Sequence, residues 1–222
     1  SDSRLDSGRV YVLGHSLGGM LTPAIADAHP QLAGIISMAG SLRSLWDISY
    51  DQNQEAAEAA RSGLSEEENQ LLDQQLALVE ADIDTLRRLS ADEQLADLSR
   101  LPDSVSADSV LLGLPLTYWS SLDRFAGRRF VDRLTMPVLI LQGDADFQVY
   151  PDRDYPLWQE ALSGHENAVF HLYPGLNHLL MPTQGRRDLS EYAVKSVVSP
   201  EVIADIADFI HSETGEAEAP SA

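Results

Sequence analysis

The sequence predicts an α/β fold, in which helices cover both faces of a parallel β-sheet. Four short runs are almost continuously apolar, as expected for strands that are buried on both faces. Helical patterns alternate with these runs, which favours parallel strands joined by crossover helices. The chain of 222 residues is long enough for one core with an insertion, or for two small domains.

The predicted core elements follow one another as strand, helix, strand, insertion, strand, helix, strand, helix. The predicted strands cover residues 9–13, 32–40, 137–143 and 168–173. The predicted helices cover 17–29, 156–163 and 201–211. Pro30 ends the first helix, while Ser199 is a candidate N-cap for the last, with Pro200 in its first position.

An acidic, helical segment interrupts this alternation at residues 42–130. Ser65 is a candidate N-cap, and the acidic residues 66–68 complement the dipole of the helix that follows. That helix carries one apolar stripe, formed by Leu71, Leu72, Leu76, Val79, Ile83 and Leu86. We interpret the segment as a helical lid, inserted after the strand that follows the first helix.

The predicted domains are therefore a discontinuous core, a lid and a tail. Residues 1–41 and 131–211 form the core, residues 42–130 the lid, and residues 212–222 an acidic disordered tail.

Composition excludes several classes of function. The chain has no cysteine, which excludes disulfides, zinc–thiolate sites and cysteine nucleophiles. With 35 acidic and 15 basic residues the formal net charge is -20, so the chain repels nucleic-acid phosphates. Adaptation to high salt is the favoured explanation of this acidity, and a GC-rich genome that prefers Arg to Lys is the alternative, since Lys195 is the sole lysine.

Targeting and cofactor signals are missing from the sequence. No apolar run approaches the roughly 20 residues that cross a bilayer, and the first residues do not resemble a signal peptide. These observations favour a cytoplasmic location. No metal-ligand cluster or phosphate-binding glycine loop is present, so we expect no cofactor.

Ser16 lies in the sequence Gly14-His15-Ser16-Leu17-Gly18, between a predicted strand and a predicted helix. This is the pattern of a nucleophile elbow, a tight turn that exposes the serine hydroxyl. We expect glycine at positions 14 and 18 because a Cβ there would collide with the neighbouring strand or helix.

A serine nucleophile needs a base and an acid that follow it in the chain. Asp146 is the preferred acid because it follows a strand, with Asp144 as the alternative. His178 is the preferred base, because it lies in the loop after the last predicted strand. The remaining histidines occupy the elbow, helix ends, a strand or another loop, and we assign them structural roles: His15, His29, His165, His171 and His211.

Three segments resemble the α/β-hydrolase superfamily: GHSLGG at 14–19, LQGDADFQV at 141–149 and YPGLNH at 173–178. They are most similar to bacterial esterases near the dienelactone-hydrolase and acyl-esterase branches. Residues 113–119 are similar to the stretch where the lid of such proteins returns to the core. The resemblance covers residues 9–211. It implies Ser16 as nucleophile, Asp146 as acid, His178 as base and the Leu17 backbone N–H as one donor of the oxyanion hole.

The elbow begins only 14 residues into the chain, whereas several strands precede it in this superfamily. One of the preceding loops supplies the second oxyanion donor. Three explanations remain open. The chain is the C-terminal part of a longer protein, a separate polypeptide supplies the other half, or the chain covers an open sheet edge by self-association.

The resemblance implies a serine hydrolase, and a carboxylesterase for small or medium acyl esters is the favoured activity. The candidate acyl-pocket residues are Phe147, Tyr118, Trp119, Leu179 and Met181. A thioesterase or a peptidase on the same scaffold is the first alternative, and a non-catalytic module that binds a partner in the cleft is the second.

Overall fold

The computed structural model describes residue 6 and residues 8–212, and it divides into two compact units. The core unit comprises Ser1–Leu42 and Gly127–Ala222, and the helical unit comprises Arg43–Ala126. The predicted tail lies outside the described residues from position 213 onwards.

In chain order, the strands are β1 (Tyr11–His15), β2 (Gly34–Met38), β3 (Val110–Leu111), β4 (Leu114–Pro115), β5 (Val138–Gly143) and β6 (Ala168–Tyr173). The helices are α1 (Leu17–Ala28), α2 (Leu45–Arg61), α3 (Glu66–Ala91), α4 (Leu116–Arg124), α5 (Pro151–Ala161) and α6 (Pro200–Ser212).

Four parallel strands form the sheet of the core unit, in the order β1-β2-β5-β6. Leu13 pairs with Ile36, Ile36 with Leu139, and Leu139 with Val169. The carboxyl ends of all four strands therefore meet at one edge, where ligands of open parallel sheets bind. The predicted α/β fold with a parallel sheet is confirmed.

Helices cover both faces of this sheet. Successive residues of a strand point to opposite faces, so neighbouring residues of β5 belong to different clusters. On one face Ile140 belongs to a cluster that includes Ala26 of α1 and Trp158 of α5. On the other face Leu139 belongs to a cluster that includes Phe209 of α6. Burial of each large side chain stabilises the fold by about 1.5–3 kcal/mol, so these two clusters hold the strand ends in place.

The two outer strands of the described sheet are less buried than the sequence predicts. Leu13 of β1 is 46% exposed, and on β6 Val169 and Leu172 are 40% and 45% exposed. Continuous burial is found on β5, where all six residues are buried. An apolar run reports that a strand belongs to a sheet, but not whether both of its faces are covered.

Helix α5 begins five residues before the predicted start, at Pro151. A proline is well tolerated there because the first helical residue has no partner for its N–H. Pro156 is consequently inside the helix, where the sequence had suggested a beginning.

The helical unit has a core of its own. Ser65 and Glu68 form a reciprocal capping box at the start of α3, as the acidic first turn suggested. The predicted stripe on α3 is only partly buried, since Ile83 and Leu86 are inaccessible while Leu71 is 53% exposed. The sequence did not predict the short hairpin of β3 and β4. A role for this unit as a lid stays a prediction.

No helix within residue 6 and residues 8–212 combines the length and the apolar character needed to cross a bilayer.

Candidate active site

Ser16 has the backbone geometry of a strained turn between β1 and α1. Its φ of 55° and ψ of -120° lie in a region that residues with a side chain rarely adopt. Two hydrogen bonds hold this conformation: the Ser16 N–H donates to the Met38 carbonyl, and the Ser16 carbonyl accepts from the Met20 N–H. Such strain costs about 1–3 kcal/mol and persists only where the surroundings enforce it.

Close approach of the backbone requires glycine at Gly14 and Gly19. The sequence analysis had expected this of Gly14 and Gly18. A Cβ on Gly14 would lie 2.2 Å from the Gly18 carbonyl oxygen, and one on Gly19 would lie 3.1 Å from the Gly40 Cα. A Cβ on Gly18 would have no described atom within 4 Å. The steric reason predicted for Gly18 is therefore wrong, and Gly19 is the residue that lets α1 approach the end of β2.

Asp146 lies in the loop after β5 and is 1% exposed. Its Oδ1 accepts hydrogen bonds from the backbone N–H groups of Gln148 at 2.8 Å and Val149 at 3.0 Å. Its Oδ2 accepts from Gln142 Nε2 at 2.9 Å and contacts His178 Nδ1 at 2.8 Å. Three of these four neighbours are N–H donors, and the carboxylate oxygens of Asp146 accept from them while Oδ2 also contacts the imidazole.

Asp144, the alternative acid, has a different set of contacts. Its Oδ1 accepts from the Gly175 N–H at 2.6 Å, and its own N–H donates to the Tyr173 carbonyl. These bonds tie the loop after β5 to the loop after β6. Asp144 thus organises the loop that carries the histidine, whereas Asp146 contacts the imidazole itself.

His178 is buried, with 4% of its surface exposed, in a tightly wound loop after β6. Asn177 shapes this loop, because its Oδ1 accepts from the N–H groups of Leu179 at 3.0 Å and Met181 at 3.2 Å. Leu180 adopts a φ of 53°, and its N–H donates to the Asn177 carbonyl at 2.8 Å. The loop therefore presents the imidazole from a backbone with little freedom.

His15, to which the sequence assigned a structural role in the elbow, contacts the histidine loop directly. Its Nε2 lies 2.8 Å from the His178 carbonyl oxygen, and the two rings are 4.8 Å apart between centroids. The residue next to Ser16 in the chain is thus bonded to the residue proposed as base. Nothing in the sequence pattern signals this contact.

The structure brings Asp146 and His178 into hydrogen-bonding contact and places the His15–Ser16 turn beside them. No hydrogen bond within the described part of the chain joins Ser16 Oγ to the imidazole. Leu17 is the first residue of α1, so its N–H has no acceptor within the helix. It is available to bind a negative charge that develops beside Ser16.

Leu179 and Met181 line a cavity of about 200 Å³ next to the histidine loop. Asn177, Glu191 and Tyr192 contribute to the same walls, and Lys195 lies among the lining residues. Polar and apolar side chains both line the cavity, and the apolar ones are Leu179, Met181, Pro182 and Val194.

The other candidates for substrate binding have different surroundings. Phe147 is 8% exposed and stacks on Tyr192, a residue of the cavity lining, with centroids 5.6 Å apart. Trp119 is 2% exposed in the core of the helical unit, where its indole N–H donates to the Leu111 carbonyl at 2.8 Å. Tyr118 packs edge-on against Trp119. Substrate contact by any of these side chains stays a prediction.

Glu191, which the sequence analysis did not single out, is a buried carboxylate that holds the segment after the histidine loop. It accepts from Asn177 Nδ2 at 3.3 Å and from the N–H groups of Gln184 at 2.7 Å and Arg186 at 3.1 Å. Burial by itself would raise the pKa of Glu191, but these bonds, with one from Thr183, lower it below the ordinary value. Glu191 therefore stabilises the wall of the cavity in its charged form.

Tyr192, the neighbour of Glu191, remains a neutral phenol through the ordinary pH range. Burial, with the carboxylates of Asp146 and Glu191 nearby, raises the pKa of Tyr192 to about 12. Its hydroxyl accepts a hydrogen bond from Gln148 Nε2, which ties the cavity wall to the acid loop.

The depressed pKa of Glu191 predicts a loss of stability in acid. Because the folded state has the lower pKa, the stabilisation is complete above the unfolded value of about 4.3 and disappears as pH falls through the folded value. We expect the free energy of unfolding of Glu191→Gln to fall less steeply between about pH 5 and pH 3 than that of the unmodified chain. Urea denaturation at several pH values measures this slope.

Glu160→Gln, at an exposed position of α5, is the matched control and is expected to leave the slope unchanged. Equal slopes for Glu191→Gln and the unmodified chain would contradict the role assigned to Glu191.

Comparison with known proteins gives two sequence matches. The pattern of the alpha/beta hydrolase family matches residues 2–191. The esterase EstD of Thermotoga maritima is 32% identical over 204 residues, which cover 92% of this chain and 43% of EstD. The chain thus spans less than half the length of this curated relative.

Solved structures give weaker likenesses. The esterase Pf2001 of Pyrococcus furiosus shares 10% identity at a TM-score of 0.47, with 93% of this chain and 54% of that chain covered. The monoacylglycerol lipase of Paleococcus ferrophilus shares 16% identity at a TM-score of 0.46, with 92% and 69% covered. Because both TM-scores are below 0.5, the assignment rests on the sequence matches. The family match over residues 2–191, together with the parallel sheet and its serine turn, shows that the chain belongs to the alpha/beta hydrolase family.

Proposed function

We propose that this chain carries the catalytic residues of a serine esterase, which cleaves small or medium acyl esters through an acyl-enzyme. The 2.8 Å contact between His178 Nδ1 and Asp146, beside the strained Ser16, is the observation that carries the proposal. The name of the relative EstD supports an ester, rather than a thioester or an amide, as the substrate.

The contact with Asp146 determines which nitrogen of His178 acts as the base. In the proposed tautomer Nδ1 carries the hydrogen and donates a hydrogen bond to the carboxylate, which leaves the lone pair on Nε2. Ser16 Oγ attacks the ester carbonyl while its proton moves to Nε2. The resulting imidazolium is stabilised by Asp146, and the Leu17 N–H stabilises the tetrahedral oxyanion.

The proton then moves from Nε2 to the leaving alcohol, and the bond from the carbonyl carbon to the alcohol oxygen breaks. Water enters, gives a proton to Nε2 and attacks the acyl-enzyme. The bond between the acyl carbon and Ser16 Oγ then breaks, the proton on Nε2 moves to Ser16 Oγ, and the acid product leaves.

Substitution of the nucleophile tests this reaction. Ser16→Ala is expected to lower kcat/KM for a short-chain aryl ester by about 10⁴-fold or more, because no other group forms the acyl-enzyme. A fluorophosphonate probe is expected to label the unmodified protein and to leave Ser16→Ala unlabelled.

Ser163→Ala, at an exposed position after α5, is the matched control and should behave like the unmodified protein. Unchanged turnover by Ser16→Ala would refute the mechanism. Failure of the probe to label the unmodified protein would favour a non-catalytic module that uses the cleft for binding.

The cavity beside the histidine loop is our candidate for the acyl site, because Leu179 and Met181, which follow His178 in the same loop, line it. We expect Met181→Trp to fill part of its volume. The kcat/KM for a hexanoyl ester should fall at least tenfold relative to that for an acetyl ester, since each lost methylene contact is worth about 1–3 kcal/mol.

Val197→Trp introduces the same side chain just after the lining residues 194–196, at a position that is 69% exposed and outside the cavity lining. Its preference for chain length should equal that of the unmodified protein. If both tryptophan variants shift the preference equally, the acyl group does not occupy this cavity.

We propose that further strands pair with the exposed edge of β1, and that they belong to a longer polypeptide that contains this chain. The Ser16 N–H bonds to β2, so the amides of alternate residues, Leu13 among them, face the outer edge. Within the described residues β1 pairs only with β2, and the chain covers 43% of EstD. Such strands would also bring the second oxyanion donor, whose loss costs about 10²–10³ in rate.

Hydrogen exchange tests how this edge is covered. In the isolated chain at low concentration, the amide of Leu13 should exchange quickly while that of Gly14, which faces β2, is protected. In the longer polypeptide both amides should be protected. Protection of Leu13 that grows with the concentration of the isolated chain would show instead that a second copy occupies the edge.

A further inference from the structure

We propose that His15 is a positioning residue for His178, whose main chain it fixes at a set distance from the nucleophile. The inference rests on the proposed function, in which His178 is the base. The observation that carries it is the 2.8 Å bond between His15 Nε2 and the carbonyl oxygen of His178.

The chemistry of the two partners fixes the direction of this bond. A carbonyl oxygen only accepts, so Nε2 of His15 carries the hydrogen and donates it. The acceptor belongs to the main chain of His178, so the bond restrains the backbone and leaves the imidazole free to bind Asp146. His15 and Asp146 therefore act on different parts of the same residue.

Because of the position of His15 in the chain, its bond to His178 links the turn of Ser16 to the loop of His178. His15 is the last residue of β1 and immediately precedes Ser16, whose backbone is held by bonds to Met38 and Met20. The bond thus connects two segments that are 163 residues apart, one with the nucleophile and one with the base. Asp146 sets the orientation of the imidazole, while His15 ties the loop of His178 to the serine turn.

A small displacement at this point has a large kinetic effect. Misplacement of reacting groups by about 1 Å costs about 10²-fold in rate, even when substrate binding is unchanged. Loss of the bond should therefore lower kcat and leave KM nearly constant, because His15 restrains the base and is not part of the proposed acyl cavity.

Packing of the His15 ring against the His178 ring, instead of the hydrogen bond, is an alternative explanation of how His15 would position His178. Two variants of His15 distinguish these explanations. Gln and Met have similar length and shape, but Gln carries a donor and Met does not. If the hydrogen bond matters, His15→Gln retains the function of His15 and His15→Met loses it. If packing alone matters, the two variants behave alike.

The closing experiment measures kcat and KM for a short-chain aryl ester, and records the Nδ1–H proton resonance of His178 by NMR. For His15→Met we expect kcat to fall about 10²-fold, KM to stay within about twofold, and the resonance to be lost to exchange with water. For His15→Gln we expect values close to those of the unmodified protein. His29→Gln, at the exposed end of α1, is the control for replacement of a histidine.

Equal behaviour of His15→Gln and His15→Met in both measurements would overturn the inference. Should thermal melting show that His15→Met is unfolded, His15→Phe retains a ring without the donor and takes its place in the comparison. The NMR measurement does not depend on turnover. If Ser16→Ala remains active while His15→Met loses the resonance, the proposed function fails, but His15 still positions His178. If Ser16→Ala is inactive while His15→Met keeps the resonance and the kcat of the unmodified protein, only the positioning role of His15 fails.

Discussion

The geometry of the site depends on one constraint, the close approach of backbone at the turn between β1 and α1. Without a Cβ at Gly14 and Gly19, the helix comes near enough to β1 and β2 to enforce the left-handed backbone of Ser16. This contact fixes where the hydroxyl lies relative to the ends of the strands. The loops after β5 and β6 bring Asp146 and His178 to the same edge of the sheet because all four strands are parallel.

Around this turn, the loops are held mainly by side chains that bond to backbone. Asp144 ties the loop after β5 to the one after β6, and Asn177 closes the turn that follows His178. Glu191 extends the same arrangement to the next segment, where it accepts hydrogen bonds from four residues beside the cavity. The bonds of Asn177 and Glu191 satisfy polar groups that burial would otherwise leave unpaired, so they contribute both to stability and to the placement of the imidazole.

The sequence predicted the parallel fold, because periodicity and apolar runs report burial directly. It also predicted the residues that the structure brings together, Asp146 and His178, because chain order and loop position suffice to select them. The sequence patterns did not predict contacts between residues that are far apart in the chain. The bond of His15 to His178 and the tight approach at Gly19, in place of Gly18, depend on how two segments meet in space. A local sequence pattern does not predict a tertiary contact between two such segments.

The place of β1 at the rim of the described sheet has a consequence for how the site divides its tasks. Ser16, the proposed nucleophile, follows the outermost described strand, whereas Asp146 and His178, the proposed acid and base, follow β5 and β6 on the other side of β2. The described residues therefore contribute the proposed reacting groups and one flank of the space around them. Whatever covers the opposite flank would share with the cavity beside the histidine loop the choice of molecules that fit, so selectivity can change there in evolution while the proposed reacting groups stay the same.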